Sequence, residues 1–128
     1  MSTGSKRRRA TGWVVGGLPA LFLIVDAGMK LVKPEFVVKA TTDLGFPEAA
    51  IVPLGVVLLV STLLYLVPGA ATLGAILLTG YLGGAVATHV HAGHGAFEVL
   101  FPVAFGALLW LGLVLRDARV CAAVFPRG

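Results

Sequence analysis

Charge is scarce in this chain. Of its 128 residues, six are acidic and ten are lysine or arginine, so 12% are charged. A soluble domain carries about 25%, and a surface this poor in charge does not suit water. Cysteine is nearly absent: Cys121 stands alone, which excludes an internal disulfide. Its place after Arg116 and Arg119 puts it in a basic tail on the reducing side. Aromatic residues make up 9% of the chain. They do not alternate with the basic residues, so no stacking platform for nucleic acid is built. Phosphate-binding loops, nucleophile elbows, zinc-protease motifs and haem-attachment motifs are also missing.

Apolar sequence fills the space. The hydrophobic fraction is 58%. Four stretches without a charged side chain, Ala10–Val25, Ala49–Val67, Ala70–Thr88 and Val99–Leu115, are 16 to 19 residues long. A helix needs about 20 residues to cross a hydrocarbon core of about 30 Å. Lipid offers no partner to a backbone N–H or C=O, so such stretches are helical. A β-barrel is excluded because Ile51–Val60 does not alternate. The expected fold is an all-α membrane protein, a four-transmembrane-helix bundle over residues 10–116. A basic tail (1–9) precedes it and a short tail (117–128) follows.

Proline and glycine divide the chain. The first span is expected from Ala10 to Val32, with Gly16, Gly17 and Pro19 as a kink. Its basic start also resembles a secretion signal, but no small-x-small cleavage site follows, so the span is read as retained. Between Lys33 and Gly45, Phe36, Val37, Ala40 and Leu44 share one helical face and Glu35, Lys39 and Asp43 another. This pattern predicts a short amphipathic helix on the membrane surface. Pro47 and Glu48 open the second span, Pro68-Gly69 turns it into the third, and the fourth runs from about Ala96 to Arg116. Two sets of small residues at four-residue spacing, Gly12/Gly16 and Gly80/Gly84/Thr88, read as helix-packing faces, the second also able to serve a homo-oligomer.

Lysine and arginine set the orientation. The side holding both termini carries seven of them; the other carries Lys30, Lys33 and Lys39. The positive-inside rule places both termini in the cytoplasm. Arg116 and Arg119 then read as a cytoplasmic anchor.

Candidate chemistry gathers at the outer face. Asp26 and Lys30 close the first span, His89 closes the third, and Glu98 opens the fourth. Ionisable groups at membrane depth are costly and turn toward the bundle interior, so these four define a candidate outward polar pocket. Tyr81 and Thr88 are secondary candidates. Each also has a structural reading: an i, i+4 ion pair for Asp26 and Lys30, a bonded neutral ring for His89, a helix-dipole partner for Glu98, and core packing for Tyr81. The set His89, His91 and His94 raises a metal site, but residues two apart on a helix point to opposite sides, and the glycines at 93 and 95 would have to fold the turn back.

Several segments are similar to the DoxX-like family of small bacterial membrane proteins. They are Asp26-Ala27-Gly28-Met29-Lys30-Leu31-Val32-Lys33-Pro34, Leu44-Gly45-Phe46-Pro47, Leu66-Val67-Pro68, the run from Leu73 to His89, and Trp110-Leu111-Gly112-Leu113-Val114-Leu115-Arg116-Asp117. The stretch Gly83-Gly84-Ala85-Val86-Ala87-Thr88-His89 is the most specific. The resemblance implies a four-helix bundle in the bacterial cytoplasmic (inner) membrane. It also implies an association with quinol-oxidase or thiosulfate:quinone redox systems, with Asp26, Lys30 and His89 as the residues to carry over. Family members often have an arginine soon after the histidine; here His91 stands in that region. Three functions follow as expectations: an accessory component of quinone- or thiol-linked redox processes, with a quinone-like ligand and a membrane or periplasmic redox protein as partner; a non-catalytic assembly protein; and a small oligomeric transporter.

Overall fold

A computed structural model of the chain describes the backbone of residues 3–125 and the side chains of residues 6–125. The elements are α1 (Thr3–Val32), α2 (Glu35–Asp43), a 3-10 turn (Glu48–Ala50), α3 (Ile51–Leu66), α4 (Ala71–His91), α5 (Ala96–Arg116) and α6 (Ala118–Val124). Four helices are long and apolar enough to cross a membrane: Lys6–Val32, Glu48–Leu66, Ala71–His91 and Ala96–Arg116. They form an antiparallel ring in which α1 packs on α3 and α5, and α4 packs on the same two. This is the up-down-up-down order that short connections impose.

The ends of two elements differ from the sequence reading. α1 begins at Thr3, not Ala10, so the basic run from Lys6 to Arg9 is helical. Lysine and arginine are good helix formers, and no proline or capping residue stops the helix there. The C-terminal tail also folds: the Asp117 side chain accepts the Arg119 backbone N–H at 2.9 Å and caps α6. Val120 then joins the core. Residues 1, 2 and 126–128 of the two tails lie outside the described residues.

Small residues set the packing at the end of the bundle that carries the termini. A Cβ on Gly112 would stand 2.6 Å from the Gly16 Cα, and one on Gly12 would stand 2.6 Å from the Gly112 carbonyl oxygen. α1 and α5 therefore touch backbone to backbone. A Cβ on Gly74 would collide with the Tyr65 backbone, which brings α3 and α4 equally close. The Tyr65 side chain fills the middle and donates its hydroxyl to the Leu109 carbonyl at 2.5 Å.

Arg116 is not a surface anchor. It is buried, donates to the Tyr65 carbonyl, and lies 4.1 Å above the Trp13 ring and 4.5 Å from the Tyr65 ring. That carbonyl is among the last four of α3, which have no partner within the helix. Arg116 thus places a cation on the negative end of α3 and joins α1, α3 and α5.

Candidate functional site

At the opposite end the helices separate around a cavity of about 710 Å³, within the range of roughly 300–1,000 Å³ for small-molecule sites. α1 contributes Phe22, Asp26, Met29 and Lys30; α4 contributes Gly80, Tyr81, Gly84, Ala85, Thr88 and His89; α5 contributes Phe101, Pro102 and Phe105. Each set recurs every three or four residues and so lies on one helical face.

The short helix forms one side of the cavity. Its apolar face, Phe36, Val37, Ala40 and Leu44, lines the cavity together with Thr41. The sequence pattern is therefore amphipathic toward a cavity, with Glu35 and Lys39 exposed on the other side. The chain leaves α2 through Gly45 (φ +99°), whose N–H bonds the Thr42 carbonyl while the Phe46 N–H bonds that of Thr41. This 6→1 and 5→2 pair is a Schellman cap, which needs the left-handed backbone that glycine adopts freely. It folds Phe46 into the cavity wall. At the other end Lys33 has φ +59° and reaches Glu48 at 3.5 Å.

Five of the six candidate residues share this cavity: Asp26, Lys30, Tyr81, Thr88 and His89. Lys30 Nζ lies 2.5 Å from an Asp26 carboxylate oxygen. Gly55 makes room for the lysine stem, since a Cβ there would stand 2.9 Å from the Lys30 Cβ. The Thr88 hydroxyl donates to the Gly84 carbonyl at 2.7 Å, so its proton is engaged within α4. Glu98 is the exception. It is exposed on the first turn of α5 and does not line the cavity: it shares the helical face of Phe101, Pro102 and Phe105 but stands a turn before them, with its carboxylate beside Gly95.

Within the chain, Gly80, Gly84 and Thr88 do not form the packing face expected of them. A Cβ at Gly80 or Gly84 would meet nothing within 4 Å. Both glycines open onto the cavity, and their missing side chains help to make it. The first glycine pair, Gly12 and Gly16, does pack against a helix, on Gly112.

Phenylalanines form one wall. Phe22 on α1 meets Phe105 edge-on at 5.0 Å and Phe101 at 6.1 Å, and Phe101 lies 4.8 Å from Phe105. The sequence reading passed over them; their i, i+4 spacing on α5 was the available sign.

The histidines divide. His89 Nδ1 lies 2.7 Å from His94 Nδ1. His91 borders a separate recess of about 290 Å³ beside Leu44 and Gly45. Among the described residues no three His, Cys, Asp or Glu side chains are grouped to hold a metal ion.

The cavity is thus a mostly apolar chamber with aromatic rings on one side and an ion pair and an imidazole on the other. It can hold a flat, largely apolar molecule and hydrogen-bond a polar group on it. The sequence model of the DoxX-like family matches residues 14–112 of the chain. No curated protein and no solved structure matches it.

Proposed function

We propose, for a chain that belongs to the DoxX-like family, that it is an accessory component of quinone-linked redox processes in the bacterial inner membrane and holds a quinone-like molecule in the cavity. Both termini are cytoplasmic in this reading, on the positive-inside argument, and the cavity opens outward. A redox enzyme of the membrane or periplasm is the partner with which the ligand is exchanged.

One observation carries the reading: a single chamber combines the Phe22/Phe101/Phe105 wall with Asp26, Lys30 and His89. A wall of aromatic rings suits a planar π-system, with an aromatic pair adding about 0.5–1.5 kcal/mol beyond area burial. A ring carbonyl needs a donor, which an ammonium or an imidazole N–H supplies. Sulfur oxyanions, the thiol-linked alternative, are small and highly charged and suit an apolar chamber less. The transporter reading drew its oligomer face from Gly80 and Gly84, and both glycines line the cavity.

The test is a thermal-shift titration of purified protein with short-chain quinones, with thiosulfate in parallel. Stabilisation by the quinone that is lost in Asp26→Asn and in His89→Ala supports the reading. Stabilisation by neither compound class refutes it.

A further inference from the structure

His89 and His94 meet because of how α4 ends. Gly93 has φ +76°. Its N–H bonds the Val90 carbonyl at 3.1 Å, and the His94 N–H bonds the His89 carbonyl at 3.0 Å. This is a second Schellman cap. Such a cap brings the side chain after the glycine onto the one three residues from the helix end, usually as an apolar contact. Here both positions are histidine. Their rings lie 4.9 Å apart by centroid, with the two Nδ1 atoms 2.7 Å apart. A bond between two ring nitrogens requires one N–H and one bare nitrogen. Each ring keeps its Nε2 for something else. His89 lines the cavity, and His94 is exposed on the turn.

We propose that His89 and His94 form a two-ring proton path between the cavity and the outer water, with His94 as the residue that connects His89 to solvent. The proposal rests on the reading that the cavity takes a ring bearing a hydroxyl or carbonyl. In the outward direction His89 starts with its proton on Nδ1 and His94 with its proton on Nε2. The bound hydroxyl gives its proton to His89 Nε2. The Nδ1 proton of His89 moves to Nδ1 of His94, and the Nε2 proton of His94 leaves to water. One proton has left the ligand, one has entered water, and no electron has moved. Both rings end as the opposite tautomers, which is the starting arrangement for inward transfer. The path therefore alternates between release and uptake.

The neighbouring charged groups and the third histidine are engaged or placed elsewhere. Asp26 and Lys30 on α1 bond each other. Glu35 and Lys39 are exposed on the far face of α2, Glu98 is exposed on α5, and His91 borders the other recess.

The test uses full-length protein in detergent and 2-hydroxy-1,4-naphthoquinone, an acidic hydroxyquinone whose ionised form absorbs visible light. Binding is read by titration, and ionisation of the bound probe by stopped-flow absorbance after a pH jump. His94→Ala is expected to keep binding but slow ionisation by about a hundredfold, the low side of what a positioned acid–base group contributes. Added imidazole is expected to restore the rate, and His91→Ala to match wild type. Wild-type exchange rates in His94→Ala, or loss of binding in that variant, would overturn the path. Failure of the probe to bind wild type would instead sink the quinone reading. A ligand-free check is ¹⁵N spectroscopy of the ring nitrogens. One Nδ1 of the pair should be protonated and one bare, and removing either ring should shift the other. Two rings both protonated on Nε2 and indifferent to each other would refute the pairing.

Discussion

Gly16 and Gly112 bring α1 and α5 into backbone contact, while Gly84, on α4, faces open space. The same residue type therefore does two jobs: it closes the bundle at one end and hollows it at the other. Gly112→Ala must push a backbone aside, and overpacking of this kind costs about 1–3 kcal/mol. Gly84→Ala meets nothing and replaces a poor helix former, so it should be neutral or stabilising by up to about 1 kcal/mol. Melting temperatures in one detergent check both. Equal effects at the two sites would remove the distinction.

Gly84→Leu extends the second case. Its side chain would project into the cavity, so quinone binding should weaken while the melting temperature stays near that of wild type. Measuring both on one preparation separates loss of space from loss of fold. A collapse in stability would show that α4 packs at this position after all.

Arg116 leads to a third prediction. Arg116→Ala removes a hydrogen bond to the end of α3 and the contacts with the Trp13 and Tyr65 rings. The expected loss is about 2–3 kcal/mol, and Arg116→Lys should recover little of it, because an ammonium lacks the planar fork that stacks and bonds together. Tyr65→Phe loses only the bond to the Leu109 carbonyl and should cost about 1 kcal/mol. A lysine variant as stable as wild type would contradict this account.

Asp117 caps α6 outside the membrane spans. Burial is the largest single influence on its carboxyl and raises it, but the Arg119 backbone N–H and side chain and the Val120 N–H together outweigh that and hold it below its ordinary value. A carboxyl depressed on folding stabilises above its unfolded value and loses that contribution as pH falls through the folded one. Amide exchange in α6, corrected for intrinsic rate, should therefore be slow near neutral pH and accelerate below about pH 4. Asp117→Ala should show the fast behaviour at every pH, with cap loss of about 1 kcal/mol. An α6 whose protection ignores both changes would mean that the cap contributes nothing.

Much of this architecture is legible in the chain because lipid simplifies the rules. Uncharged runs of bilayer length must be helices, and Pro34, Gly45, Pro47 and Pro68-Gly69 mark the breaks. The i, i+4 rule pairs Asp26 with Lys30. What a helical period cannot tell is which neighbour a face meets. Gly80/Gly84 and Gly12/Gly16 have the same spacing, yet only the second pair finds a partner backbone. Arg116 reads as an anchor because its position at a helix end says nothing of the Tyr65 carbonyl waiting there. Glu98 has the azimuth of Phe101, Pro102 and Phe105 on α5 but stands a turn before them, outside the cavity. The His89–His94 contact had a sign in Gly93, since a glycine after a helix end predicts contact between the residues flanking the cap.

The central claim is that the cavity between α1, α4 and α5 holds a quinone-like ring. Photolabelling with an azidoquinone, followed by peptide mapping, tests it most directly. The account predicts labels on residues 22–30, 80–89 and 101–105, suppressed by excess unlabelled quinone and by Gly84→Leu. Labels spread over lipid-facing positions such as Leu18 and Leu111, indifferent to competitor, would contradict it.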